Sequence, residues 1–97
     1  KELPGKPDIV LYKYRTAIFI NGCFWHHHPH CRLAYIPKSR TAYWMKKFND
    51  NMERDIEKQK QLESMDYKVI TVWECELKDC FDYRMQKLVE EILDGSY

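Results

Sequence analysis

The sequence has no long apolar run free of charged residues, and no basic leader precedes an apolar stretch. Neither a membrane-spanning helix nor a secretory signal is therefore indicated, and a cytosolic protein is expected. An excess of one charge is missing as well, since 16 basic and 15 acidic residues leave a formal net charge of +1. Overall charge consequently neither favours nor excludes a nucleic-acid partner, which only a local basic patch can indicate.

The chain is also short, and its 97 residues are interpreted as one domain covering residues 1–97. A domain of this size buries a smaller fraction of its surface than a large one, so a stabilising metal is expected. The sequence begins at Lys1 without a methionine, and we interpret it as part of a longer protein. Four cysteines in a cytosolic chain are expected to stay reduced and to bind metal rather than to form disulfides.

Short apolar stretches predict three strands separated by polar or helical segments. Ile9–Leu11 and Thr16–Asn21 are apolar and β-branched on either side of a polar link, which is typical of a β-hairpin. Lys68–Trp73 is a continuous β-branched run that follows a helix, as a buried parallel strand requires. The order β-β-α-β-α predicts an α/β domain with a small mixed β-sheet and flanking helices.

Two helices are predicted from the spacing of apolar residues. The first begins near Ser39, which can cap it, and the second closes the chain. The apolar positions of the first helix are Trp44, Phe48, Met52, Ile56, Leu62 and Met65. Those of the second helix are Phe81, Met85, Leu88 and Ile92. Both helices are expected to cover the sheet with these residues.

The loop between the second strand and the first helix concentrates metal-binding side chains. Residues 22–31 hold two cysteines and four histidines, and Cys75 follows the third strand. Structural zinc takes four nitrogen or sulfur ligands in a closed tetrahedron, so Cys23, Cys31, Cys75 and one histidine are expected to bind it. Cys80 competes with Cys75, which is favoured because it follows the strand end. The alternative is an adventitious histidine patch beside small buried cysteines.

Asp8 opens the first strand after Gly5, Lys6 and Pro7. An aspartate at such a place is commonly a turn residue that hydrogen-bonds to its neighbours. A proline-aspartate pair that opens one strand of a hairpin, with the reactive residues ending the next strand, resembles the restriction-endonuclease-like superfamily. The usual second motif of that superfamily is an acidic residue, any residue and then lysine. This chain has no such lysine at the end of its second strand.

Five segments together resemble the very-short-patch (Vsr) DNA mismatch repair endonucleases, which depart from that second motif in the same way. They cover nearly the whole chain and read PGKPD at residues 4–8, NGCFWH at 21–26, SRT at 39–41 followed by Trp44, NMERD at 51–55 and VWEC at 72–75. The resemblance implies a restriction-endonuclease-like core and Mg²⁺-dependent nicking of one DNA strand next to a T:G mismatch. It also implies that an amino-terminal helical segment of the family is missing from this sequence.

The resemblance also implies which residues form the site. Asp8 and the carbonyl of Ile20 are expected to bind Mg²⁺, with His26 as the catalytic imidazole. Asn21 stands where the family has a second active-site histidine, so it is assigned to the catalytic site with its role left open. Structural zinc is expected on Cys23, His28, Cys31 and Cys75. Because imidazoles also suit zinc, His26 as a zinc ligand is the alternative.

The same loop and the start of the first helix supply the expected DNA contacts. Phe24 and Trp25, joined by Trp44, are expected to wedge between bases at the mismatch, hardly affecting stability, and ordinary core packing is the alternative role. Phosphate contacts are expected from Lys38 and Arg40, and also from Arg32, Lys46 and Lys47, for which a solvated charged face is the alternative.

The expected partner is double-stranded DNA with a mismatch, bound by a monomer that can also contact mismatch-repair proteins. Such a protein is expected in the bacterial cytoplasm, at the nucleoid when it is bound to DNA. Two other functions stay open from the sequence: a zinc-stabilised DNA-binding module without chemistry, and a strand-cutting nuclease domain of a mobile element. Nicking that depends on a divalent metal distinguishes an endonuclease from a DNA-binding module without chemistry.

Overall fold

The computed structural model describes residues 3–94, and within that range it contains three strands and three α-helices. The strands are β1 (Ile9–Leu11), β2 (Thr16–Asn21) and β3 (Lys68–Trp73), and the helices are α1 (Thr41–Ser64), α2 (Glu74–Asp79) and α3 (Phe81–Leu93). A short 3₁₀ turn, Tyr12–Tyr14, joins β1 to β2. The predicted strands are confirmed at their predicted bounds.

The three strands form one sheet in the order β1-β2-β3. β1 runs antiparallel to β2 across the hairpin, with Ile9 opposite Ile18. β2 and β3 run parallel, with Asn21 opposite Trp73, because α1 carries the chain back along the sheet between them. The small mixed α/β fold is therefore confirmed, and the carboxyl ends of β2 and β3 meet at one end of the sheet.

Side chains alternate across the sheet, so each of its two faces has its own core. On one face of β2, Ala17 and Phe19 belong to a buried cluster completed by Leu3, Leu62 and Tyr67. This side is covered by α1 and the segment before β1. On the other face, Ile18 packs with β3 and the last two helices through Ile70, Val72, Leu77, Leu88 and Ile92. β2 is therefore central to both cores.

The first turn of α1 is arranged differently from the prediction. Arg40, in a left-handed conformation, precedes the helix and makes no side-chain capping hydrogen bond. The hydroxyl of Thr41 lies 3.1 Å from the carbonyl oxygens of both Pro37 and Lys38. The prediction that Ser39 caps the helix is therefore wrong, because the chain turns one residue later than the capping pattern indicates.

The apolar face of α1 is less regular than its spacing predicts. Phe48 and Leu62 are buried, but Ile56 is 56% exposed and Met65 is 39% exposed, so their predicted places in the core are wrong. The 24-residue helix is about 36 Å long, whereas a six-residue strand spans about 20 Å, so the sheet cannot cover the whole helix. Within residues 3–94, no helix is long and apolar enough to cross a membrane.

The sequence pattern misses α2, which begins directly after β3. The N–H of Trp73 donates to Glu76 Oε1 over 2.8 Å, and this hydrogen bond caps the helix. Cys75 consequently lies in a helical turn. In α3, Phe81 is 53% exposed, so its predicted place in the core is wrong. Arg84 takes a buried position there instead, because its guanidinium is bonded to Glu76 over 3.0 Å.

Candidate active site and metal centre

Three cysteines and one histidine converge at the ends of β2 and β3. The ligand atoms of Cys23, His28, Cys31 and Cys75 all lie within 4.8 Å of one another. His28 Nδ1 lies 3.7 Å from Cys23 Sγ and 3.5 Å from Cys75 Sγ. Around zinc, with bonds of about 2.0–2.3 Å, tetrahedral ligand atoms stand about 3.5–3.8 Å apart. The cluster can therefore hold a metal ion such as zinc, and Cys80 is exposed outside it.

Backbone hydrogen bonds fold the loop after β2 around this cluster. The N–H of His28 donates to the Cys23 carbonyl over 3.0 Å, and the N–H of His26 donates to the Gly22 carbonyl over 3.1 Å. His27 and His30 both have a positive φ, of 49° and 55°. These tight turns place neighbouring histidines on different sides of the loop. As a result, His28 contacts the cysteines while His26 faces α1.

The junction of β3 and α2 holds the other side of the cluster. The N–H of Cys75 donates to Cys23 Sγ over 3.4 Å, and Glu74 Oε1 accepts from the Cys23 N–H over 3.2 Å. The ring of His28 stacks on Trp73 with centroids 4.0 Å apart. The predicted ligands therefore meet because the parallel pairing of β2 with β3 brings Asn21 beside Trp73.

Two of the three thiols of the cluster, those of Cys23 and Cys75, resist ionisation when no positive charge is near, whereas at Cys31 desolvation is outweighed by hydrogen bonds that lower its pKa. Desolvation and, to a smaller extent, the neighbouring thiols of Cys23 and Cys31 together raise the pKa of Cys75 to about 12. Desolvation also raises the pKa of Cys23. A bound divalent cation reverses this effect, since a coordinating thiol is deprotonated outright. The donor set therefore fits a cation that binds thiolates, and zinc is such a cation.

His26 makes a short contact with a carboxylate of α1. Its Nδ1 lies 2.6 Å from Asp55 Oδ2, and each side chain is about one quarter exposed. Lys58 Nζ lies 3.5 Å from the other oxygen, Asp55 Oδ1. His26 is outside the Cys-His cluster, so the geometry gives no support to the alternative that it binds the zinc in place of His28.

The partner of His26 was not assigned a role from the sequence. Asn51, Asp55 and Lys58 follow one another at the spacing of a single helix face. Asn51 Nδ2 donates to the Trp25 carbonyl over 2.8 Å, so this face of α1 holds the loop at two points. The available signal was the NMERD segment at residues 51–55, which the resemblance had already singled out.

Asp8 lies where the hairpin brings it beside the end of β2. Its Oδ2 accepts a hydrogen bond from the N–H of Ile20 over 2.7 Å, and its own N–H donates to the Ile18 carbonyl over 3.0 Å. Within residues 3–94, Oδ1 makes no hydrogen bond. The exposed Asp8 thus presents one carboxylate oxygen next to the backbone of Ile20, the residue predicted to share Mg²⁺ with it.

Asn21 is half-buried at the end of β2. It lines a small polar cleft between the sheet and α1. The other lining residues of this cleft are Phe19, Asp55, Lys58, Gln59, Val69 and Thr71. Asn21 is therefore near the partner of His26, although no contact between Asn21 and His26 is seen within residues 3–94.

The two aromatic residues assigned to the wedge have different surroundings. The ring of Phe24 lies 5.0–5.4 Å from four other rings, those of Trp25, Tyr35, Trp44 and Phe48. Phe24 and Trp44 are half-buried, whereas Trp25 is 52% exposed. Phe24 packs at the centre of an aromatic cluster around the buried Phe48, which favours the alternative role of core packing for this residue.

Phe24→Ala is expected to lower the free energy of unfolding by about 3 kcal/mol, the lower end of the range for a packed phenylalanine, because Phe24 is only half-buried. Trp25→Ala is expected to lower it by less than about 1 kcal/mol, since the ring mostly faces solvent. Urea unfolding of the zinc-loaded variants measures both changes. Equal destabilisation by the two substitutions contradicts the assignment of Phe24 to the interior.

The basic residues near the loop fall into two groups. Arg32 binds Asp79 over 3.1 Å, and Lys46 binds Asp50 over 3.0 Å, so both are already paired with carboxylates. Lys38, Arg40 and Lys47 are exposed, and the guanidinium of Arg40 lies 4.6 Å from the centre of the Tyr43 ring. Of these five basic residues, the three without a carboxylate partner in the described part of the chain therefore lie around the start of α1.

These features define a small mixed α/β domain with a Cys₃His cluster that can hold a metal ion, and with a histidine-aspartate pair beside it. A family model described as DNA mismatch endonuclease Vsr matches residues 1–33, which contain Asp8, His26 and three of the four cluster residues. The chain belongs to this family, as its similarity to three curated proteins also indicates.

The first relative is the type II nicking enzyme V.NmeAIP of Neisseria meningitidis, which is 52% identical over 98% of this chain and 69% of its own length. The type II nicking enzyme V.XorIIP of Xanthomonas oryzae is 47% identical over 99% of the chain and 68% of its own length. The DNA mismatch endonuclease Vsr of Escherichia coli is 44% identical over 94% of the chain. The chain spans 54% of the length of that protein.

Proposed function

We propose that this chain is the catalytic core of an Mg²⁺-dependent endonuclease that nicks one DNA strand next to a T:G mismatch in very-short-patch repair. The observation that carries the proposal is the position of two reactive groups at the end of β2. The carboxylate of Asp8 contacts the backbone of Ile20, and the loop that begins two residues later holds His26 against Asp55. The names of the relatives, a mismatch endonuclease and nicking enzymes, support the same reaction.

Asp8 and Ile20 are proposed to hold the Mg²⁺ ion. Magnesium prefers oxygen ligands, and Asp8 Oδ1, just before β1, and the carbonyl of Ile20, in β2, are a hard oxygen pair. The exposure of Asp8 leaves room for the phosphate and water ligands that Mg²⁺ normally keeps. When bound, the ion supplies charge neutralisation on the phosphate and lowers the pKa of a water ligand.

His26 is proposed to take the proton of the attacking water. Its Nδ1 is engaged by Asp55 Oδ2, so a neutral ring carries its proton on Nδ1 and leaves Nε2 as the acceptor. Asp55 therefore fixes both the orientation and the tautomer of the imidazole. A base held this way needs no rearrangement before it acts, which is the main requirement for general base catalysis.

The Cys-His cluster is proposed to bind zinc as a structural ion. Four protein ligands close a tetrahedral site and leave no position for substrate. The cluster joins the loop after β2 to the first turn of α2, so it stabilises the segment that carries His26. Zinc is thus proposed to act on catalysis only by holding this loop.

The DNA-binding surface is proposed to consist of Trp25 and the start of α1. Trp25 is exposed, as is Tyr35 in the same aromatic cluster, and Trp44 lies 6.0 Å from Trp25, beneath it. Mismatched bases stack weakly, so an exposed aromatic ring can enter between them. Lys38 and Arg40 lie nearby in sequence and can bind the phosphates. The protein is proposed to act as a monomer in the bacterial cytoplasm, at the nucleoid.

His26→Ala is expected to lower the nicking rate constant by about two to four orders of magnitude, the usual contribution of a general acid or base. Asp55→Asn is expected to cause a smaller loss, because the imidazole remains but loses its charged partner. Zinc content and DNA affinity are expected to stay at the wild-type level in both variants. Single-turnover nicking and elemental analysis provide the measurements. If His26→Ala instead strips the zinc, His26 is a structural ligand and this role is lost.

Trp25→Ala is expected to weaken binding to a mismatched duplex by about tenfold or more, since stacking on one base contributes roughly 1–3 kcal/mol. Binding to the matched duplex is expected to change little, because phosphate contacts dominate it. Both affinities are measured at one fixed salt concentration. The exposed Tyr83→Ala on α3 is the matched control. An equal loss on the two duplexes argues against a wedge.

The proposal is tested by a nicking assay of the full-length protein on mismatched and matched duplexes, with and without Mg²⁺. The expected result is one nick beside the mismatch, only in the presence of the metal. Binding without any nicking indicates a zinc-stabilised DNA-binding module and overturns the proposal. Nicking of matched and mismatched duplexes at the same rate leaves an endonuclease but removes the mismatch specificity.

A further inference from the structure

Lys58 is held from several sides, unlike a lysine on a solvated helix face. Its ammonium lies 3.5 Å from Asp55 Oδ1 and 5.2 Å from the centre of the Phe19 ring, and its side chain is 24% exposed. Its aliphatic stem lies against Gly5, where an added Cβ would come within 2.6 Å of Lys58 Cδ. One side chain therefore contacts α1, β2 and the segment that leads into Asp8.

The segment around Gly5 has an unusual backbone conformation. Gly5 has a φ of 79° and Lys6 a φ of 50°, so two successive residues are left-handed, which is unfavourable for lysine. The N–H of Lys6 donates to the Leu3 carbonyl over 3.4 Å, a long hydrogen bond. Two residues later Asp8 enters the sheet through its hydrogen bond to Ile18. The turn at residues 3–6, called the Gly5 turn below, therefore directly precedes the point where Asp8 bonds to β2.

We propose that Lys58 is a positioning residue that holds Asp8 and His26, the two parts of the candidate active site, in fixed positions relative to each other. Its stem supports the Gly5 turn and thereby Asp8. Its ammonium fixes the carboxylate of Asp55 and thereby His26. The inference rests on the proposed nicking function and extends it, because Lys58 acts through these residues and contacts neither reacting atom.

The two parts of the Lys58 side chain allow the two roles to be separated. Lys58→Met keeps most of the stem and removes the charge, whereas Lys58→Ala removes both. Lys60→Met, on the same helix but at an exposed position, is the matched control. For each variant of the full-length protein, the nicking rate constant at saturating Mg²⁺ and the Mg²⁺ concentration that gives half of it are measured.

Lys58→Met is expected to lower the rate constant by about tenfold, as loss of a group that orients an active-site residue typically does, with the half-saturating Mg²⁺ concentration unchanged. Lys58→Ala is expected to lower the rate constant and also to raise the half-saturating Mg²⁺ concentration several-fold. Lys60→Met is expected to change neither quantity. A wild-type rate constant for Lys58→Met overturns the role of the ammonium. A purely structural lysine is not expected to change the rate constant in one variant and the half-saturating Mg²⁺ concentration only in the other.

Amide hydrogen exchange tests the role of the Lys58 stem independently of the nicking assay, because it needs neither DNA nor Mg²⁺. Lys58→Ala is expected to speed exchange of the Lys6 and Asp8 amides by about tenfold relative to the amides of β2, while Lys58→Met leaves them unchanged. Unchanged exchange in Lys58→Ala overturns the support of the Gly5 turn. If the wild-type protein does not nick DNA, the proposed function fails on its own, and the exchange rates still decide whether Lys58 holds the turn.

Discussion

Asp8→Asn is expected to abolish Mg²⁺-dependent nicking while the fold and the zinc content stay at wild-type levels. The substitution keeps the shape of the side chain but removes the one charged protein ligand proposed for Mg²⁺. The amide can still contact the Ile20 backbone, so β1 and β2 are expected to remain paired. Titration with Mg²⁺ up to high concentration is expected to leave the variant at the background of the assay.

Asp82→Asn is the control for this prediction, because Asp82 is an exposed aspartate in the first turn of α3 and has no proposed role in the site. It is expected to nick at the wild-type rate. Unfolding in urea and elemental analysis verify that both variants are folded and hold zinc. Nicking by Asp8→Asn at a substantial fraction of the wild-type rate means that another group binds the Mg²⁺, and it contradicts the assignment of Asp8.

Loss of the zinc is expected to unfold the domain. Binding of structural zinc contributes about 10–16 kcal/mol in zinc-finger peptides, which matches or exceeds the total stability of a small domain. Protein purified without added metal is expected to contain nearly one zinc ion per chain. Cys75→Ala is expected to lose that zinc together with its cooperative unfolding transition, since it opens the tetrahedral site.

Cys80→Ala is the matched control, because Cys80 is a neighbouring but exposed cysteine outside the cluster. Its zinc content and its unfolding midpoint are expected to equal those of the wild type. Adventitious binding by His30 and the other histidines of the loop is removed by a brief wash with a weak chelator before analysis. Zinc-free protein that unfolds cooperatively at the wild-type midpoint excludes a structural role for the metal.

Strand positions could be predicted from the sequence because they depend on neighbouring residues. The β-branched runs Ile9–Leu11, Thr16–Asn21 and Lys68–Trp73 have the bounds expected from their residue types alone. The parallel pairing of the last two followed from the helix between them. Helix packing was predicted less well, since Ile56 and Phe81 fit the apolar spacing and yet lie exposed. Spacing indicates which residues share a face, but not whether a partner reaches that face.

The metal cluster, too, was predicted from the sequence only in part. The spacing of the cysteines and histidines predicted a metal site, but it left open which histidine takes part and whether Cys75 or Cys80 closes it. Only the folded chain brings Cys75 to Cys23, 52 positions earlier, and turns His28 rather than His26 toward them. Left-handed residues within the loop determine the directions of these side chains. The loop has no periodic residue pattern from which those conformations could be predicted.

Residue types alone were sufficient to indicate the mixed sheet, the thiol and imidazole donors, and a carboxylate at the start of β1, because each is a local property of the chain. The partners of these groups depend on contacts between distant segments. Asp55 meets His26 across 29 positions, and Lys58 meets Gly5 across a longer separation, because the crossover of α1 lays one helix face along the sheet. Such contacts follow from the direction and length of α1, which are settled only when its buried residues, Phe48 and Leu62, pack.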